Sequence, residues 1–138
     1  MSNPVGEGRF SLVMEGSDLP AAEIEQKLGI KATRVIRKGD VLNRLPLMTA
    51  ETDEWAHAIE LTNAESTDTA LNDLLALMVY KEELMNRLKS SYQVTLRLYV
   101  QSDYAQMAYQ LMPETLSKIV ATGLPLDVSS LSWGEVKM

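Results

Sequence analysis

Read for polarity alone, the ordered part of the chain opens with a two-residue beat. Phe10, Leu12 and Met14 alternate with Ser11, Val13 and Glu15, which predicts a strand with one face much more apolar than the other. Gly16-Ser17-Asp18 is a turn, and the beat then changes to helical spacing. Ala21, Ile24 and Leu28 recur on one side, and Glu23, Glu25, Gln26 and Lys27 stay wet. Ser17 or Asp18 can cap this helix, Pro20 suits its first turn, where a missing N–H costs nothing, and Gly29 can close it. Thr33 to Arg37 is rich in β-branched residues and predicts a strand, followed by a Lys38-Gly39-Asp40 turn. Residues 41–52, with Pro46, read as a long loop. Trp55, His57, Ile59 and Leu61 then alternate with Ala56, Ala58 and Glu60 as a second well-marked strand.

The same two periods order the second half. Ser66-Thr67-Asp68 offers caps for a helix whose buried stripe is Leu71, Leu74, Leu75 and Met78. Leu84, Met85 and Leu88 continue the apolar spacing, and the pattern fits either one helix over residues 68–90 or two with a break near Tyr80. Tyr92, Val94, Leu96, Leu98 and Val100 give the clearest alternation in the chain, with Gln93, Thr95, Arg97, Tyr99 and Gln101 on the other face. Met107, Tyr109 and Leu111 suggest a short extended piece. Pro113 opens a helix expected to bury Leu116, Ile119 and Val120 and to end at Gly123. Leu124, Leu126 and Val128 form a last strand, which Pro125 places at an edge or a strand start.

These elements predict one α+β domain over residues 9–134, with residues 1–8 and 135–138 as flexible ends. The sheet is expected to be mostly antiparallel, of about five strands, with two to four helices packed mainly on one face. Phe10–Val35 and Val94–Val128 both read strand, Ser-Asp, Pro-led helix, Gly, strand, which suggests two related β-α-β halves. The stretch AAEIEQKLGI also looks like the first helix and turn of a DNA-reading helix-turn-helix. Thr33, Val35 and Ile36 are poor helix formers, however, and Gly39 would stop a second helix after about two turns. The first helix is expected to return into the sheet.

Composition narrows the chemistry. Thirteen Lys and Arg against nineteen Asp and Glu give a formal net charge of −6, the wrong sign for broad nucleic-acid binding. With no cysteine and a single histidine, His57, thiolate nucleophiles, disulfides, iron–sulfur clusters and multi-histidine metal sites within one chain are excluded. The N-terminus lacks the features of a signal peptide, and the longest apolar run, Leu74 to Tyr80, is too short for a membrane span. A cytoplasmic protein without membrane or nucleic-acid partners is the expectation.

His57 shares an alternating apolar face with Trp55 and is expected to pack at the core with a local hydrogen bond; a catalytic pair with Asp53 would need a nucleophile that only the fold could place beside it. The eight methionines sit at scattered apolar positions and read as core filler. No catalytic residue, cofactor or metal ligand is expected. Two surfaces remain as binding candidates. One is the basic run Lys31, Arg34, Arg37 and Lys38, suited to an acidic partner or phosphate. The other is the off-beat face of the central strand, Arg97, Tyr99 and Gln101, where Tyr99 offers a preorganised anchor. Arg34, Arg37, Lys38, Arg97 and Tyr99 are the candidate binding residues.

The order RFSLVMEG, LPAAEIEQKLGIKAT, RKGD, EWAHAIEL, LNDLLALM, VTLRLYV and MPETLSKIVATGLPLDV, over residues 9–128, resembles the bacterial family called domain of unknown function 4279. The resemblance implies a compact α+β domain with no established activity. It also implies a protein of the size of bacterial immunity or accessory proteins that act beside toxins. In that family the last strand runs through an acid to an aromatic residue; Asp127 matches the acid, but Ser129-Ser130 follows. The expected function is a non-catalytic, cytoplasmic protein-interaction module, immunity-like in its most specific form, as a monomer or homodimer with an unnamed protein partner. A small-molecule-binding regulatory domain is the alternative, and a small enzyme comes third.

Overall fold

The central strand β1 (Glu7–Gly16) is paired over nine of its ten residues on each side, antiparallel to β5 (Asp53–Leu61) and to β6 (Gln93–Ser102). Around it the chain, described by a computed structural model over residues 7–42, 48–61, 64–102 and 109–132, forms α1 (Ala21–Leu28), β2 (Arg34–Ile36), β3 (Val41–Leu42), β4 (Met48–Thr49), α2 (Ala64–Met78), α3 (Glu82–Ser91), α4 (Pro113–Thr122) and β7 (Leu126–Ser132). The five-stranded sheet has the order β2-β5-β1-β6-β7, antiparallel except for the β6–β7 pair. This is the α+β architecture that the pattern predicts. The strand opens at Glu7, within the stretch expected as a loose end.

The alternation decides which face is covered. Phe10, Leu12, Met14, Trp55, Leu96 and Leu98, all on one side of the sheet, are at most 1% exposed and join Ile24, Leu71, Leu74, Leu75, Met85 and Ile119 from the four helices in one core. Gly29 and Gly123 close α1 and α4 with φ of 70° and 68°, a left-handed conformation that a Cβ would penalise.

Several local expectations are corrected. Neither Ser17 nor Asp18 caps α1: Pro20 occupies the cap position, and the Leu19 N–H is taken by Asp53 instead. α2 begins at Ala64, so residues 66–68 lie inside the helix, where Asp68 accepts the Met112 N–H at 2.7 Å and ties down the start of α4. The 68–90 stretch is two helices, broken at Val79–Lys81, with Tyr80 projecting into solvent. The expected 41–52 loop contains the β3–β4 hairpin. Met107 lies outside the described residues, and Tyr109 and Leu111 belong to no strand. α4 buries Thr115 and Ile119 but exposes Leu116 and Val120; among the described residues its main helical neighbour is α2, on the flank that carries Lys118. The two β-α-β units also differ. β6 and β7 are direct neighbours, whereas β5 is inserted between β1 and β2.

One carboxylate locks the sheet end where three connections meet. Buried Asp53 accepts the Lys38 N–H at 2.8 Å and the Leu19 N–H at 3.0 Å, and it pairs with Arg37 at 3.2 Å. Arg37 also donates to the Leu19 carbonyl at 2.7 Å. The Lys38 amide first, then the Leu19 amide and the Arg37 charge, hold the Asp53 carboxyl below its ordinary pKa against partial desolvation.

A carboxyl depressed in this way stabilises the fold fully above its unfolded pKa, about 3.9, and loses that contribution as pH falls through its lower folded value. Asp53→Asn is therefore expected to lower the melting temperature near neutral pH, with the gap to the parent closing as pH drops below about 4. Thermal melts across pH check this; a gap independent of pH would show that the charge of Asp53 plays no part.

Candidate functional site

One group of polar and small side chains stands on the face of the sheet opposite the helices. The β1 register places Ser11 between Ala58 and Arg97, and Val13 between Ala56 and Thr95. These small residues form a floor: Val13, Ala56, Thr95 and Ser11 are buried, at 2%, 3%, 4% and 8% exposure, although no described helix covers them. Longer side chains around them provide the shade. A hollow of about 610 Å³ lies over Ser11, Val13, Ala56 and Ala58 of this floor, with Arg9, Arg34, Glu60, Arg97 and Tyr99 around it. Toward β3–β4 it continues, past the shared Arg34 and Arg97, into a second hollow of about 810 Å³ bordered by Glu15, Ile36, Glu54 and the hairpin.

The walls are cross-strand ion pairs. Arg9 meets Glu60 at 3.1 Å at one end. At the other, Glu54 gathers two arginines, Arg34 at 2.7 Å from β2 and Arg97 at 3.8 Å from β6, and Arg97 also contacts Glu15 at 2.6 Å. The Arg34 contact is an ion pair without a directed hydrogen bond, since the buried Glu54 Oε2 has no aligned donor. The Tyr99 hydroxyl donates to Gln101 Oε1 at 2.6 Å, two residues along the same strand, which fixes the ring at the rim. A guanidinium carries five N–H donors in a planar fork; the carboxylates engage only part of each fork.

Of the five candidate binding residues, the structure brings Arg34, Arg97 and Tyr99 to this face. Arg37 and Lys38 go to the Asp53 junction, Arg37 through its side chain and Lys38 through its amide. The basic run is thus divided: Arg34 faces the trough, and the Lys31 carbonyl accepts from His57 Nδ1 at 2.7 Å. His57 lies on the Trp55 face as expected but is only half-buried. An Asp53–His57 pair does not form. They stand four steps apart along one strand, about 13 Å, and each has other partners.

Sequence reasoning missed Glu15, Glu54 and the small floor. They occupy the off-beats of three strands, a usable signal, but which off-beats meet depends on the register. The model of one protein family, domain of unknown function (DUF4279), matches residues 7–133, so the chain belongs to that family. No curated protein and no solved structure matches it.

The two arginine environments make a discriminating prediction. Arg34 and Arg97 pair in half-exposed positions, so Arg34→Ala and Arg97→Ala are each expected to cost no more than about 1 kcal/mol. Arg37→Ala, which loses bonds to both Leu19 and Asp53, is expected to cost more. Denaturant unfolding measures all three; equal costs would remove the distinction between docking and structural arginines.

Proposed function

We propose that this member of the DUF4279 family is a non-catalytic protein-interaction module and that the open face of its sheet is the docking surface. The observation that carries the reading is a floor of small residues enclosed by charged and aromatic side chains, on a rigid sheet that the described helices leave uncovered. Protein interfaces have this anatomy, with a desolvated centre and a polar rim. Arg9, Arg34 and Arg97 are interspersed with Glu15, Glu54, Glu60 and Asp127 across the face, so a partner would be selected by the pattern of charges more than by net attraction. Tyr99 supplies the aromatic anchor, and a bulky apolar side chain of the partner would fill the space over Val13 and Ala56.

An immunity-like role is the most specific form of this reading: a bacterial cytoplasmic protein that covers the working surface of a toxin. Its support is the size that the chain shares with bacterial immunity and accessory proteins. The hollow beside the β3–β4 hairpin, about 810 Å³, favours a second reading, in which a small molecule bound there regulates the domain.

Affinity capture with cross-linking, in the cells that make the protein, tests the first reading. Tyr99→Ala and the Arg34→Ala, Arg97→Ala double variant are expected to weaken the captured partner at least tenfold, about 1.4 kcal/mol, while circular dichroism shows the native fold. An identical set of partners for every variant would contradict the docking face. Thermal stabilisation by a metabolite mixture that is lost on changing the hairpin would favour the second reading.

A further inference from the structure

The far edge of the sheet carries a second surface. β7 pairs with β6 on one side only, and among the described residues no strand pairs with its other edge. Edge strands in soluble proteins are usually blunted by lysine, proline, a bulge or a cover. Here the strand reads LDVSSLS, seven residues with one charge, Asp127, and no proline. Val128 pairs with the fully buried Leu98 and so points to the helix side, yet it is 51% exposed. On the helix-covered side of the sheet, α4 carries a row of exposed apolar residues at helical spacing: Met112, Leu116 and Val120, at 48%, 45% and 78% exposure. The flank of α4 that carries Lys118 faces α2 through its bond to Asn72, so the apolar row lies on the outer side, away from α2. A free strand edge and an apolar helix ridge thus share one side of the molecule, in two layers.

We infer that this side is the seat of a second copy of the chain, through antiparallel β7–β7 pairing with α4 packed on α4. An extended peptide from another protein would satisfy the strand edge but leave the helix ridge wet. A second copy brings a ridge above its own edge, so one two-fold axis perpendicular to the sheet covers both layers at once. The greatest overlap of Leu126–Ser132 with itself centres on Ser129, which sets Asp127 opposite Leu131 and leaves no like charges facing. The strand spans about 23 Å, so the contact is at the small end of stable interfaces and the dimer is expected to exchange with monomer. This geometry turns the two open sheet faces to the same side, giving any partner of that face two docking sites in one continuous ten-stranded sheet.

Sedimentation velocity over a wide concentration range tests the pairing, supported by single-thiol cross-linking, which the absence of native cysteine makes clean. The dimer fraction is expected to rise with concentration and to vanish in Leu116→Glu, Val120→Glu, two exposed positions where the monomer fold is retained by circular dichroism. Ser129→Cys is expected to form an intermolecular disulfide under mild oxidation, whereas Ala76→Cys on the exposed side of α2 remains reduced. A wild-type chain that stays monomeric at the highest concentration, or a dimer indifferent to both changes, would overturn the inference. A monomer that instead takes up an added extended peptide along β7 would also overturn it.

Discussion

Everything in this fold depends on β1 being paired on both edges while its two faces obey different rules. Nine consecutive residues of β1 are in register with β5 and nine with β6. A slip of one residue would turn Phe10, Leu12 and Met14 out to water and bring Ser11 and Glu15 under the helices. The register is therefore fixed by the burial of one face, and the other face inherits its geometry. Glu15, Arg97, Ser11 and Ala58 meet in the trough because Leu12, Trp55 and Leu96 meet in the core. A surface set by core packing is rigid without needing interactions of its own, as a preorganised docking face requires.

Asp53 and Glu54 show how economically β5 uses this constraint. Adjacent strand residues point to opposite faces. Asp53 collects the Leu19 and Lys38 amides and Arg37, so it secures the β1–α1 connection and the turn after β2. Glu54 collects Arg34 and Arg97, so it ties β2 to β6 across the open face. Two arginines three positions apart, Arg34 and Arg37, therefore serve different ends. One braces the architecture and the other lines the candidate site.

The strands were readable because a period of two survives in a single sequence: β1, β5 and β6 are visible in Phe10–Met14, Trp55–Leu61 and Tyr92–Val100. What required long-range information was not readable. The α2–α3 break at Val79–Lys81 carries neither Gly nor Pro. Leu116 and Val120 look like core residues until α4 is known to end its layer, with Thr115 turned inward in their place. Of the site, Arg97 and Tyr99 were legible as the off-beats of a strong strand. The join of Arg34 to them runs through Glu54, and no local pattern reveals that β2 lies beside β5.

The central claim is that the open sheet face is occupied when the protein works. The most direct measurement is the thiol reactivity of Ala58→Cys, whose side chain lies in the trough opposite Ser11, compared between purified protein and the cells that make it. Ready labelling of the purified protein and strong protection in the cell are expected, with Ala76→Cys on α2 labelled equally in both settings. Equal reactivity of Ala58→Cys in both would contradict that claim.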